Sequence, residues 1–135
     1  MKRIGRLLLT ALIFTALCLS FACTKPTVKL DGDYLVIVAD GVAENTTLSA
    51  YMDELQQAGK LTFEKENGMV VSVNGKKNGA NYNPCWMLYT SDTEYSSAQW
   101  GSVEYEGKVY YSSTLGMENL IVKNGETYIW WYQTF

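Results

Sequence analysis

Thr46-Thr47-Leu48-Ser49-Ala50-Tyr51-Met52-Asp53-Glu54-Leu55-Gln56-Gln57-Ala58-Gly59-Lys60-Leu61-Thr62-Phe63-Glu64 is where the chain changes its period. Leu48, Met52 and Leu55, with Ala58 after them, recur at helical spacing and mark one face of a helix. Tyr51 lies beside that face. Asn45-Thr46-Thr47 offers caps at its start. Gly59 stands where a C-terminal cap glycine is favoured, with Lys60 next to it. From Leu61 onward the pattern has period two. One helix followed by a run of strands gives an α+β class, with the helix packed on one sheet face.

Working outward, Tyr34-Leu35-Val36-Ile37-Val38-Ala39 reads as a buried strand between Asp31-Gly32-Asp33 and Asp40-Gly41. Leu61 to Glu64 alternates, Glu66-Asn67-Gly68 turns, and Met69-Val70-Val71-Ser72-Val73 is a strand ended by Asn74-Gly75. Cys85-Trp86-Met87-Leu88-Tyr89 is a strand of large side chains. Val103-Glu104-Tyr105 and Lys108-Val109-Tyr110 flank Glu106-Gly107 as a hairpin. Leu120-Ile121-Val122 and Thr127-Tyr128-Ile129-Trp130-Trp131-Tyr132, around Asn124-Gly125, read as a final hairpin.

Strand geometry sorts the aromatics. Trp86 and Leu88 point one way, Met87 and Tyr89 the other. Tyr128, Trp130 and Tyr132 share one face of the last strand, and Ile129 and Trp131 the other. A single helix covers only one of these faces. The rest of the aromatics either fill a second packed layer or form an exposed platform for a flat ligand, a glycan or a partner. Tyr82, Trp86, Tyr89 and Trp100 are the candidates for such a platform, because they lie in or beside loops.

The N-terminus is built for export. Lys2, Arg3 and Arg6 precede an uncharged run from Leu7 to Ala22. A positive start, an apolar stretch and a small residue before a cut are the signature of a secretory signal. The run is 16 residues, short of the ~20 that span a bilayer core. Leu19-Ser20-Phe21-Ala22-Cys23 resembles a bacterial lipobox, in which a small residue precedes the acylated cysteine. Phe21 is bulkier than that pattern prefers, and Cys18 after Leu17 fits it less well. The expected organisation is a signal peptide at 1–22, a lipid-anchored tether at 23–30 with Cys23 as the attachment point, and one domain at 31–135. The alternative is ordinary cleavage near Ala22 with Cys23 left free. The lipid reading places the protein at the membrane, on its extracytoplasmic face.

Removing residues 1–22 takes away three of 11 basic residues and no acid. That leaves 8 basic against 14 acidic residues, a net charge of −6. Nucleic-acid binders need a basic footprint, so that class is disfavoured. Adhesion to anionic lipid by charge is disfavoured too, so the anchor must be covalent. The chain has no histidine. That removes Ser-His-Asp and Cys-His catalysis and the commonest metal ligand. Only Cys85 remains inside the domain. One cysteine supplies neither a disulfide nor a zinc site, and it reads as a small buried hydrophobe. Asp31 and Asp33, Asp53 and Glu54, Glu64 and Glu66, and Glu104 and Glu106 read as solvated surface. Asp31, Asp33 and Asp40 match no calcium-loop pattern. No protein-bound metal is expected.

The order of motifs resembles the DUF4430 family, the transcobalamin-like C-terminal domains. It rests on Thr46-Thr47-Leu48, on Gly68-Met69-Val70-Val71-Ser72-Val73-Asn74-Gly75, on Trp86-Met87-Leu88-Tyr89, and on Ile121 to Tyr132. It covers roughly residues 33–132. The resemblance implies a β-grasp-like mixed sheet wrapped on one helix, in an exported lipoprotein. It also implies that Trp86-Met87-Leu88-Tyr89 and the strand end Val73-Asn74-Gly75 lie on the ligand side, which adds Leu88 and Asn74 to the candidates. In the animal carriers the related domain closes over a corrinoid. The stretch Thr90–Asn119 is longer than the family's link and holds an extra β-hairpin. The function expected is a non-catalytic ligand-binding domain, for cobalamin, another corrinoid or a similar bulky cofactor. The alternative is a protein- or glycan-interaction module at the cell surface.

Overall fold

The computed structural model describes residues 26–135. The signal peptide, Cys23 and the start of the tether lie outside them. Nine strands and one α-helix follow in the order β1 (Thr27–Asp31), β2 (Tyr34–Val38), α1 (Leu48–Gln57), β3 (Phe63–Glu66), β4 (Met69–Val73), β5 (Lys76–Lys77), β6 (Cys85–Thr90), β7 (Ser96–Tyr105), β8 (Lys108–Ser113) and β9 (Thr127–Gln133). They make a six-stranded sheet ordered β1-β2-β9-β6-β8-β7 and a three-stranded sheet β3-β4-β5. The α+β class stands. The expected mixed sheet does not form, because every pairing between these strands is antiparallel. Two-residue turns join β1 to β2, β3 to β4, β4 to β5 and β7 to β8, and such turns connect only antiparallel neighbours. Asn67-Gly68 and Asn74-Gly75 take positive φ at both positions, 51° and 74° in one and 47° and 81° in the other. That is the twist a tight hairpin requires.

α1 begins and ends as its sequence asks. The Thr47 hydroxyl accepts from the Ala50 amide, capping the first turn. At the other end Gly59 adopts φ +74°, and the Lys60 amide donates to the Leu55 carbonyl at 2.9 Å. This left-handed exit closes the last turn. Leu48, Met52 and Leu55 are buried, with Tyr51, against β2, β9 and β6. Each such burial contributes about 1.5–3 kcal/mol. Ala58, on the expected face, is exposed because the helix has already ended.

Two further expectations are corrected. Residues 27–30 belong to the expected tether but form, with Asp31, an edge strand paired along its whole length with β2. Its exposed, mixed sequence hides the strand, since an edge needs no continuous apolar run. Leu120-Ile121-Val122 does not form a hairpin with β9. Both edges of β9 are already taken, by β2 and by β6. The stretch is tied to the helix start instead. Leu48 N–H donates to the Leu120 carbonyl at 2.8 Å, Val122 N–H donates to the Thr46 carbonyl at 2.9 Å, and Ile121 bridges Thr47.

The large sheet carries a core on each face. The front core, under α1, takes Leu35, Ile37, Trp86, Leu88, Tyr128 and Trp130. The back core takes Val36, Tyr89 and Ile129, and the β7–β8 hairpin folds over it with Val103, Tyr105 and Tyr110. The hairpin reaches as far as β1 and β2. The Tyr105 ring lies 5.3 Å from that of Tyr34, its hydroxyl bonds Asp31 at 3.0 Å, and Lys29 donates to Glu106 at 2.9 Å. β7 bends by a break in register between Ser97 and Ser102, where Gly101 sits at φ +117°. The second face of the sheet is thereby packed, and the β7–β8 hairpin is what packs it.

Asn78 joins the two sheets. Its Oδ1 accepts from the Trp86 amide at 3.0 Å, and its Nδ2 donates to the Val70 carbonyl at 3.2 Å. Its own amide donates to the Val71 carbonyl at 2.8 Å.

Candidate functional site

β6 pairs with β9 along its length but meets β8 only at Tyr89 and Thr90. Toward Cys85, β8 parts from β6, and the gap beside β4 is a groove of about 250 Å³. Trp86, Leu88, Trp130 and Met117 form its floor. Gly68, Met69 and Val70 make one wall, and Ser112 to Gly116 make the other. The lining is mainly apolar, with serine and threonine hydroxyls along one side. Trp100 projects over the mouth with 62 % of its surface exposed. The β7 bulge carries it there, because residues 98–101 are released from pairing with β8.

The floor is held rigidly. Trp86 Nε1 donates to the Lys76 carbonyl at 2.8 Å, and its ring packs 5.1 Å from that of Tyr132. The Tyr132 hydroxyl donates to the Lys77 carbonyl at 2.7 Å. Lys76 stands over the Tyr132 ring at 4.5 Å and pairs with Asp33. Trp130 Nε1 points at Met52 Sδ, 3.2 Å away. A floor with its indole donors already satisfied offers ring faces and edges, not hydrogen bonds, to a ligand.

Three of the six candidates read from the sequence meet at this groove: Trp86, Leu88 and Trp100. Tyr89 does not. It points to the back core, 3 % exposed, with its hydroxyl on Gln133 at 2.5 Å and its ring 5.9 Å from that of Trp131. Burial pushes its phenol pKa up. Alternation along β6 puts it on the opposite face from Trp86 and Leu88. Tyr82 lies elsewhere, 60 % exposed beside a polar pocket with Glu64, Glu66 and Lys77. It and Asn81 both adopt left-handed φ, 56° and 55°. Asn74 lines a third, smaller slot by β1. The sequence reading missed Met69, Leu115 and Met117. The signal for the last two was present, as isolated apolar residues in the polar stretch Ser112–Asn119.

Cys85 is buried, and desolvation raises its thiol pKa, which keeps it protonated and unreactive. The most enclosed carboxylate is Asp92, 2 % exposed. Lys123 Nζ lies 3.0 Å from each of its oxygens, with the hydrogen bond directed at Oδ1, so Oδ2 is compensated by charge alone. Lys123 also bonds Glu94 at 2.6 Å. This cluster pins the approach to β9 and lies outside the groove.

The fold and the groove define a small α+β domain of two antiparallel sheets and one helix, with an apolar cleft where β8 parts from β6. No family model, no curated protein and no solved structure matches the chain. Among the described residues no helix is long and apolar enough to cross a membrane.

Proposed function

We propose that this is an exported, non-catalytic binding module, held at the membrane by lipid on Cys23, whose groove grips one flat apolar group of a larger ligand. The groove under Trp100 carries the reading. A large aromatic that is mostly exposed costs hydration, and its place above an apolar cleft gives that exposure a use. The groove falls just below the ~300–1,000 Å³ of sites that engulf a drug-sized molecule. It suits a ring or a side chain that projects from something bigger, which favours the interaction module over full enclosure of a cofactor. A corrinoid fits this reading only if it is held by an edge, stacked against Trp100. Kinship with the DUF4430 family is part of the proposal. It rests on the motif order and on a sheet packed against one helix; strand direction lends it no support.

Tryptophan fluorescence and calorimetry test it, with cobinamide, cobalamin and free indole as probes. Binding of cobinamide or cobalamin tighter than 100 µM, about −5.5 kcal/mol, supports an edge-held corrinoid. Indole binding in the millimolar range, lost in Trp100→Ala and without corrinoid binding, supports the side-chain grip. If none of the three perturbs the tryptophans, the groove is not a binding site.

A further inference from the structure

A further opening lies by the β1 edge of the helix-bearing face. Val28 and Leu30 of β1, Leu35 of β2, Leu61 after the helix and Val73 of β4 enclose a slot of about 200 Å³. Leu30 is 48 % exposed. Lys60 stands at the mouth and makes no ion pair with any described residue. The slot has apolar side-chain walls and a polar rim of Lys60 and Asn74.

Its position in the chain limits what can reach it. Thr27, where β1 begins, is four residues from Cys23, so the two are at most ~14 Å apart. A lipid on Cys23 therefore keeps β1 at the bilayer surface. In the sheet order, β1 and β6 are separated by β2 and β9. Leu35 of the slot is the cross-strand partner of Trp130 in the groove floor, so the two openings adjoin, but Trp100 itself rides on β7, the edge strand opposite β1. A domain resting on its β1 edge keeps the β7 side of the groove, with Gln99 and Trp100, turned away from the membrane.

We propose that the β1 slot seats an acyl chain of the leaflet that holds the anchor, with Lys60 at the level of the lipid phosphates. An acyl chain matches the narrow apolar walls, and its headgroup matches the lone lysine. The slot sets the domain's orientation, and the Cys23 anchor supplies the attachment. The inference rests on the lipid-anchor reading.

The test uses the full lipidated protein in vesicles of phosphatidylethanolamine and phosphatidylglycerol. A bimane label is placed at Leu30→Cys or, beside the groove, at Gln99→Cys; Cys85 is buried and takes no label. Doxyl groups within the acyl chains should quench the label at position 30 several-fold more than that at position 99. Equal quenching at both sites, or none at position 30, in protein that floats with the vesicles overturns the seat. Quenching at position 30 by headgroup-borne doxyl alone also overturns it, because the edge then touches the surface without taking a chain. Flotation of unlabelled wild type and of Cys23→Ala is scored separately. If wild type does not float, the anchor reading falls and the seat with it. If wild type floats and Cys23→Ala does not, the anchor stands whatever the labels report.

Discussion

Trp100 and Asn78 each precede a glycine, and they do opposite work. Trp100 spends its side chain on solvent and the groove mouth, so its removal should leave the fold within about 0.5 kcal/mol of wild type in urea unfolding. The same Trp100→Ala change should weaken binding of whichever probe occupies the groove at least ten-fold, since central aromatics dominate such contacts. A large loss of stability instead would show that the ring belongs to the core. Asn78 carries the seam between the sheets through both ends of its amide. Asn78→Ala strands the Trp86 amide and the Val70 carbonyl, and should cost about 1–3 kcal/mol. Its effect on binding should follow, because the seam sets the width of the groove. A urea midpoint unchanged in Asn78→Ala would mean that water replaces both bonds without loss.

The helix was legible as an element because its signals are local. Leu48, Met52 and Leu55 give the face, Thr47 the cap and Gly59 the exit, and all lie within fourteen residues. Thr47→Ala should therefore lower stability by about 1 kcal/mol, read from the thermal midpoint, with Thr47→Ser largely restoring it. If the serine variant does not recover, the threonine methyl rather than the cap bond is what matters. The β7–β8 hairpin was legible for the same reason, through Glu106-Gly107 between alternating strands. What was not legible depends on distant partners. β1 is a strand only because β2 offers an edge, and Leu120–Val122 goes to the helix start because β9 has no free edge. Direction in the β2–β9, β6–β9 and β6–β8 pairs is likewise decided by the order of the sheet, because no tight turn joins those strands. The site was half legible. Alternation separates Trp86 and Leu88 from Met87 and Tyr89, but which face the hairpin would cover depends on the bulge at Gly101. That is why Tyr89 was grouped with Trp86, although it lies beneath the hairpin.

For the whole molecule, titration should set the window of stability. Tyr51, Tyr89 and Tyr128 all have phenol pKa values raised, chiefly by burial. Each binds its proton more tightly folded than unfolded. Their contribution is complete below the unfolded value of about 10 and is lost as pH rises through the raised folded values. The Cys85 thiol has the same sign, raised by desolvation, and its contribution begins to fall near the unfolded value of about 8.5. Lys123 is raised as well, first by its hydrogen bond to Glu94 and then by Asp92, so it too loses its contribution on the alkaline side. Glu94 runs the other way. Its carboxyl pKa is lowered by Lys123, and its contribution is present above about 4.3 and lost as pH falls through the lowered folded value. Glu94 is mostly in water and Lys123 partly so, which screens the pair, so it moves the curve little. The urea midpoint should be flat between about pH 5 and 8.5 and fall steeply above about 10. Cys85→Ala should carry the flat region closer to pH 10, while Lys123→Met should leave the alkaline fall in place. If Lys123→Met removed that fall, the Lys123–Asp92–Glu94 cluster would be governing alkaline stability in place of the buried tyrosines.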